Sequence, residues 1–337
     1  MKNILIPVMM MSLLVLTCLS CKKQNEATPL EIQHPKVLTE EYLASLRAYK
    51  NSDHQLAFGW FGNTGGDGMS ASMSVRWESI PDSMDIVSLW GGLPKDSSPQ
   101  MAAMRFAQEK KGTKIVAVSF SNDPFFTHYG GEDFISKYVE PGEDAQLTAG
   151  FELVAKKMAE YIEKNQLDGI DMDHEPHVCG CSNWTVVYTP DRFALFIKAM
   201  SKYFGPKSGT GKLLIIDGEI DQIKAEVGDC LSYAISQAYN TSGPSSLNSR
   251  YNAVSGWLPP ERYIVTENFE DFWKTGGINY NDPLKGTIPS LLGMAYWQPA
   301  AGRKGGAGAY HPEYEYASPI PYQYMRQAIQ IMNPAVR

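Results

Sequence analysis

An α/β fold of the (β/α)8 TIM-barrel type, built as one domain, is what the sequence predicts, on three observations. Short apolar runs alternate with longer helical patterns and turn residues, the order expected of βα units around a parallel sheet. Eight such runs can be counted after residue 50. The first is followed by the loop Gly62-Asn63-Thr64-Gly65-Gly66-Asp67-Gly68, which lacks the glycine spacing and the lysine of a phosphate-binding turn, so a doubly wound nucleotide-binding sheet is disfavoured. With 43% apolar residues in 337, the chain can bury a barrel-sized core. Its net charge of −7 and lack of a Lys/Arg cluster argue against nucleic-acid phosphates as partners.

In chain order, Lys2 and an apolar stretch from Ile4 to Leu16 lead to Thr17-Cys18-Leu19-Ser20-Cys21, followed by Lys22-Lys23 and a polar run to Pro29. This is the pattern of an export signal, too short and too poorly flanked for a membrane span. It resembles a bacterial lipoprotein site. That resemblance implies a signal peptide over residues 1–20, acylation of Cys21, a tether over 21–39 and a catalytic-scale domain over 40–337. The expected location is the outer membrane or cell surface, with the lipid as the only membrane contact. An amphipathic helix is expected near Thr39 to Lys50. Strands are expected at Leu56–Trp60, Asp85–Trp90, Lys114–Phe120, Gly169–Glu175, Leu213–Ile216, Tyr233–Tyr239, Tyr263–Thr266 and Leu292–Trp297. Clear helical patterns cover Met101–Lys110, Ala145–Asn165, Asp191–Phe204 and Tyr322–Ile331, while those after the fifth to seventh strands are poorly marked.

The most informative segment is Leu167-Asp168-Gly169-Ile170-Asp171-Met172-Asp173-His174-Glu175. Side chains alternate along a strand, so Asp171, Asp173 and Glu175 share one face and Ile170, Met172 and His174 the other. Barrel strands are buried on both faces and ought to be apolar, yet three carboxylates stand in series here, roughly 6.5 Å apart. Burying them is unfavourable unless they share protons, accept hydrogen bonds or do chemistry, and like-charged neighbours drive at least one pKa upward. Glu175 precedes Pro176, which ends the strand at the C-terminal mouth, where barrel enzymes keep catalytic groups. A zinc site from His174, His177, Cys179 and Cys181 fits no pattern of separated ligand pairs, so no metal is expected. Cys230 is left to pair with Cys179 or Cys181, or to remain free.

Asp168, Asp171, Asp173 and Glu175 together resemble the D-x-x-D-x-D-x-E motif of glycoside hydrolase family 18, the chitinases and endo-β-N-acetylglucosaminidases. Tyr239, with Gln237 two residues before it, is similar to the family's sixth-strand tyrosine. Trp297 in Met-Ala-Tyr-Trp-Gln resembles the eighth-strand tryptophan that floors the sugar site. The third strand departs from the family: Ser119-Phe120-Ser121-Asn122 stands where S-x-G-G is usual, and His174 fills a slot often aromatic. The resemblance implies substrate-assisted, retaining hydrolysis without a cofactor. Glu175 would be the acid, Asp173 would orient the acetamido group, Asp171 would tune the shared proton and Tyr239 would hold the acetamido carbonyl. Gln237, Asn240, Trp297, Asp168 and Trp60 would contact substrate.

Within that family the expected activity is cleavage of the GlcNAc-β-1,4-GlcNAc core of N-glycans. Only about 27 residues separate the seventh expected strand from the eighth, too few for the α+β insertion of tunnel-forming chitinases. A chitinase without that insertion, and a glycan-binding lipoprotein that does not cut, are the alternatives. There is no G-x-S-x-G, H-E-x-x-H or Walker motif to support another chemistry.

Overall fold

The computed structural model of the protein describes residues 33–178 and 183–334. Eight parallel strands form the barrel: β1 (Leu56–Trp60), β2 (Ile86–Ser88), β3 (Lys114–Phe120), β4 (Gly169–His174), β5 (Leu213–Gly218), β6 (Tyr233–Gln237), β7 (Tyr263–Asn268) and β10 (Gly306–Tyr310). They close in the order β1-β10-β7-β6-β5-β4-β3-β2, so β10 lies diametrically across the barrel from β4. Residues 279–289 hold a separate antiparallel hairpin, β8 (Asn279–Asp282) and β9 (Gly286–Pro289).

Local chemistry accounts for the helices. Thr39 accepts from the Tyr42 N–H at the start of α1 (Glu40–Lys50), and Ser98 does the same for Met101 in α2 (Pro99–Glu109). Asn122 caps α3 (Asp123–Gly130) and Thr189 caps α5 (Pro190–Met200), both with proline in the first turn. Between them α4 (Asp144–Lys164) buries Phe151, Val154, Met158 and Ile162 along one stripe. The weakly marked region after β5 contains 3-10 turns, that after β6 contains α6 (Pro244–Val254), and β7 leads into the single-turn α7 (Phe269–Phe272). The C-terminal α9 spans Gln323–Met332.

One expected strand is a helix. Residues Leu292–Trp297 belong to α8 (Ser290–Tyr296) and its C-cap, and the eighth barrel strand is the later Gly-Ala-Gly-Ala-Tyr segment. An apolar run does not by itself distinguish strand from buried helix, and α8 covers the outside of the barrel, with Leu291, Met294 and Ala295 buried. In β10 the glycines serve close strand approach: a Cβ on Gly308 would lie 2.1 Å from the Phe58 carbonyl oxygen.

The apolar core has two parts. One fills the space between barrel and helices; the other is the barrel interior, made by Phe58, Trp60, Ile86, Val116, Ile215, Ile235 and Ile264. This inner plug closes the barrel below the mouth, so the inward residues at the C-terminal strand ends form the floor of a site. Among the described residues no helix is long and apolar enough to cross a membrane.

Candidate active site

Above the apolar plug the interior turns acidic. Asp171 and Asp173 point inward from β4, and the register places Asp173 beside Asp217 of β5. Asp171 is fully buried; its Oδ2 accepts from Trp60 Nε1 at 2.7 Å and Ser88 Oγ at 2.8 Å. Asp217, also fully buried, accepts from Gln237 Nε2 at 2.8 Å through Oδ1. Asp171 Oδ1, Asp173 Oδ1 and Asp217 Oδ2 meet no N–H or hydroxyl donor among the described residues. The three carboxyls act on one another's titration, so protons can be held among them. Burial pushes Asp171 up to about 7, against the lowering effect of hydrogen bonds from its partners. Burial, then the charge of Asp217, holds Asp173 well above the ordinary carboxylate range, and burial with the charge of Asp171 does the same to Asp217.

Glu175 follows β4 at the mouth and is only half-buried. Burial raises its pKa, the charge of Glu219 adds to the rise, and a hydrogen bond with Gln237 opposes it. Gly218 makes room for it: a Cβ there would sit 2.8 Å from Glu175 Cγ and 2.5 Å from the His174 carbonyl oxygen. Gly218 also has φ +95°, which favours glycine. Next to it, Glu219 accepts from the backbone N–H groups of His177 at 2.6 Å and Val178 at 2.7 Å, and pairs with His177 Nδ1 at 2.6 Å. That carboxylate thereby fixes the turn that leaves Glu175.

Tyr239 stands just beyond β6. Burial and the charges of Asp217, Asp173 and Glu175 push its hydroxyl well above the ordinary phenol value, so it stays a neutral O–H donor. Asn240 is exposed with φ +57°, and its N–H donates to Glu267 Oε1 at 3.1 Å. Glu267, buried at the end of β7, also accepts from the Asn268 N–H at 2.8 Å and from Ser290 Oγ, joining the β6 and β7 loops. The fold therefore brings Asp171, Asp173, Glu175, Gln237, Tyr239 and Asn240 to one end of the barrel.

Two expected sugar contacts lie elsewhere, and a third is buried within the acidic cluster. Trp297 follows α8, outside the barrel, where its Nε1 donates to Asn248 at 2.9 Å and its ring lies 6.2 Å from that of Tyr263. Asp168 precedes β4 at the opposite pole and accepts from Gln108 Nε2 at 2.8 Å, Ile115 N at 2.9 Å and Lys114 Nζ at 3.2 Å. Trp60 is 2% exposed and offers no open ring face; its contribution is the N–H held on Asp171. His174 points outward, bonded to Ser121 Oγ at 2.8 Å and stacked on Phe193 with centroids 3.5 Å apart. Burial lowers its pKa to about 3, so the ring is neutral. Cys21, Cys179 and Cys181 lie outside the described residues; Cys230 is a buried free thiol. Among the described residues no group of three or more His, Cys, Asp or Glu side chains is placed to hold a metal ion.

Asp217 and Glu219 were hidden by ending the fifth expected strand at Ile216. Continued through Ile216-Asp217-Gly218-Glu219, the alternation puts both acids on one face at the mouth, as in the fourth strand.

Comparison with known proteins assigns the chain to a family. The sequence model of glycoside hydrolase family 18, BT1044-like, matches residues 22–331. The chain belongs to glycoside hydrolase family 18. It is 30% identical over 326 residues to endo-beta-N-acetylglucosaminidase F2 of Elizabethkingia meningoseptica, covering 87% of this chain and 86% of that protein. It superposes on a selenomethionine Glu-to-Gln variant of BT1044 with TM-score 0.76 at 30% identity, over 91% of this chain and 98% of that one. The apo endo-beta-N-acetylglucosaminidase of Cordyceps militaris shares the fold, with TM-score 0.63 at 24% identity over 91% and 99% of the two chains. The acidic segment runs from Asp168 before β4 to Glu175 just after it, and Asp217 of β5 sets a further carboxyl beside Asp173.

Proposed function

We propose that the protein is an endo-β-N-acetylglucosaminidase that hydrolyses the GlcNAc-β-1,4-GlcNAc core of N-glycans with retention of configuration. The observation that carries this reading is the graded set of carboxyls: a proton-sharing cluster of Asp171, Asp173 and Asp217 beneath a half-buried Glu175 whose pKa is raised. A departing glycosidic oxygen needs a proton, and Glu175 at the rim is the acid with access to it. No second carboxylate is needed as nucleophile if the 2-acetamido carbonyl of the substrate attacks the anomeric carbon. The glycosidic C1–O bond then breaks as the acetamido oxygen bonds to C1 in the oxazolinium ion, with the Glu175 proton leaving on the departing sugar. Asp173 takes the acetamido N–H and offers negative charge to the cation, while the cluster redistributes its protons. Tyr239 donates its O–H to the acetamido oxygen. Water, deprotonated by Glu175, opens the ion and restores the acid.

Similarity to an endo-beta-N-acetylglucosaminidase over most of both chains supports this substrate over chitin. So does the short β7-to-α8 excursion, a helical turn and a hairpin that raise no tunnel wall. We further propose that the chain is exported and held at the outer membrane or cell surface by a lipid on Cys21, which mass spectrometry of the N-terminal peptide checks.

The functional test is incubation of the full chain with high-mannose glycoprotein, complex-type glycoprotein and chitin oligomers, followed by product masses. The expected result is a glycan released with one GlcNAc and a protein retaining one GlcNAc on asparagine. Release from chitin alone makes it a chitinase; binding with no release from any substrate makes it a lectin.

A further inference from the structure

Glu219 stands level with the acid at the barrel mouth. The β4–β5 register pairs Asp173 with Asp217 and His174 with Gly218, and the Glu219 N–H donates to the His174 carbonyl at 2.8 Å. The pairing thus runs one step past β4 and sets Glu219 beside Glu175. Gly218 permits the approach, since the place of its missing Cβ lies 2.8 Å from Glu175 Cγ.

The two carboxyls are held differently. Glu175 is half-buried and hydrogen-bonds with Gln237. Glu219, its side chain 10% exposed, takes two backbone N–H groups on Oε1, from His177 at 2.6 Å and Val178 at 2.7 Å. Its Oε2 meets His177 Nδ1 at 2.6 Å. Donors aimed at a carboxyl favour its ionised form, so Glu219 is the neighbour equipped to carry the charge. A negative charge beside Glu175 opposes the loss of its proton, and after burial it is the second cause of the raised Glu175 pKa.

His177 is the ion-pairing partner of Glu219 among the described residues, and its side chain, 39% exposed, meets solvent at the rim. The other titratable groups around Glu175 are Asp173 on β4, Asp217 on β5 and Tyr239 beyond β6. Tyr188 and the neutral His174 flank His177, and Asp221, in the turn after Glu219, is exposed. None of these is a cation, which leaves His177 to supply positive charge. With a proton on His177 the pair is neutral, and Glu175 gives up its own proton more readily. Once His177 loses that proton, the Glu219 charge stands uncompensated and holds the proton on Glu175. A rise in pH therefore tightens the hold on the proton that catalysis needs.

Resting on the reading of this chain as a hydrolase with Glu175 as its acid, we propose that Glu219 and His177 are positioning residues that extend the working pH range toward the alkaline side. Glu219 supplies the charge that retains the proton of the acid, and His177 cancels or exposes that charge as pH changes. Neither acts on substrate directly.

The test is the pH dependence of kcat/KM for the full chain on high-mannose and complex-type glycopeptides. Glu219→Gln keeps an oxygen for the His177 and Val178 N–H groups and removes the charge. Its basic limb is expected about one pH unit below that of the wild type, a loss of roughly tenfold in kcat/KM above that limb. His177→Asn keeps a side-chain donor but takes no positive charge, and its basic limb is expected about half a pH unit above that of the wild type. A pair that merely braced the turn would lower kcat/KM by one factor at every pH. A limb that stays in place in either variant, or two limbs that move in the same direction, overturns the proposal. If the wild-type chain cuts neither substrate, the reading of Glu175 as an acid fails, and the pair is judged by carbon-13 NMR of the chain labelled at glutamate Cδ. The Glu175 line, assigned by its loss in Glu175→Gln, should then titrate at lower pH in Glu219→Gln and at higher pH in His177→Asn. An unmoved midpoint in either variant removes the effect of the pair.

Discussion

The two poles of the barrel treat their carboxylates in opposite ways. At the N-terminal pole Asp168 is surrounded by donors from Gln108, Lys114 and Ile115. Buried Lys304 there reaches the Gln55 side chain at 3.0 Å and the carbonyls of Ala295 at 3.0 Å and Trp297 at 2.8 Å. At the C-terminal pole, three and five residues further along the same strand segment, Asp171 and Asp173 each leave an oxygen without a donor, as does Asp217 beside them. A buried polar group that is fully partnered holds the chain together; one left short of partners keeps capacity to exchange a proton or receive a ligand. The difference separates a fully partnered carboxylate from under-partnered ones inside a single eight-residue motif.

The largest effect expected from breaking this contrast is at the mouth. Glu175→Gln keeps the shape and the Gln237 neighbourhood but supplies no acid, and kcat should fall by ~10³-fold or more while glycan Kd, read by calorimetry, changes little. A variant that retains wild-type turnover would take Glu175 out of the acid role.

Asp217→Asn should act second, on both activity and stability. A carboxyl whose folded pKa is raised contributes stability fully present below its unfolded value and lost as pH rises through its folded value. For Asp171 that window runs from 3.8 to about 7. The Asp217→Asn substitution removes the charge that raises Asp173, so Asp173 should ionise more easily. The fall of Tm between pH 4 and pH 8 should flatten, Tm at pH 8 should rise, and the kcat limb set by the cluster should move to lower pH. An activity loss of ~10-fold or more should accompany this. An unaltered pH profile in both Tm and kcat would show that Asp217 carries no share of the protons.

How much of this was legible in the sequence follows from the same physics. The motif on β4 was readable because carboxylates in a strand that ought to be apolar contradict their setting. Asp217 was not, since it stands alone after Leu213-Leu214-Ile215-Ile216 and reads as the polar residue that stops a strand. β10 was hidden for the opposite reason: Gly306 and Gly308 have low strand propensity, and only the close approach of the β1 backbone requires them. With that strand unseen, the next apolar run upstream took its place, and Trp297 was carried into the sugar site with it.

At the opposite pole the expected effects are smaller and of another kind. Asp168→Ala leaves the Ile115 N–H and the Gln108 amide without their acceptor, at a cost of about 1–3 kcal/mol. Thermal melts should register this as a lower Tm, by roughly 2–4 °C per kcal/mol for a chain of this size. The kcat of the folded fraction should not move, and a kcat loss exceeding about tenfold at unchanged Tm would return Asp168 to the chemistry.

Smallest of all is Trp297→Phe. The substitution keeps an apolar ring near Tyr263 and removes one hydrogen bond, to Asn248 at 2.9 Å, worth about 0.5–1.5 kcal/mol. Because the ring stands outside the barrel behind α8, no sugar bound at Glu175 can reach it, and KM on every glycopeptide should stay within about twofold. A KM raised tenfold would mean that the indole meets substrate after all. That result would put Trp297 inside the barrel mouth and exchange the places assigned to α8 and β10, which is why the weakest expected effect tests the strand assignment most directly.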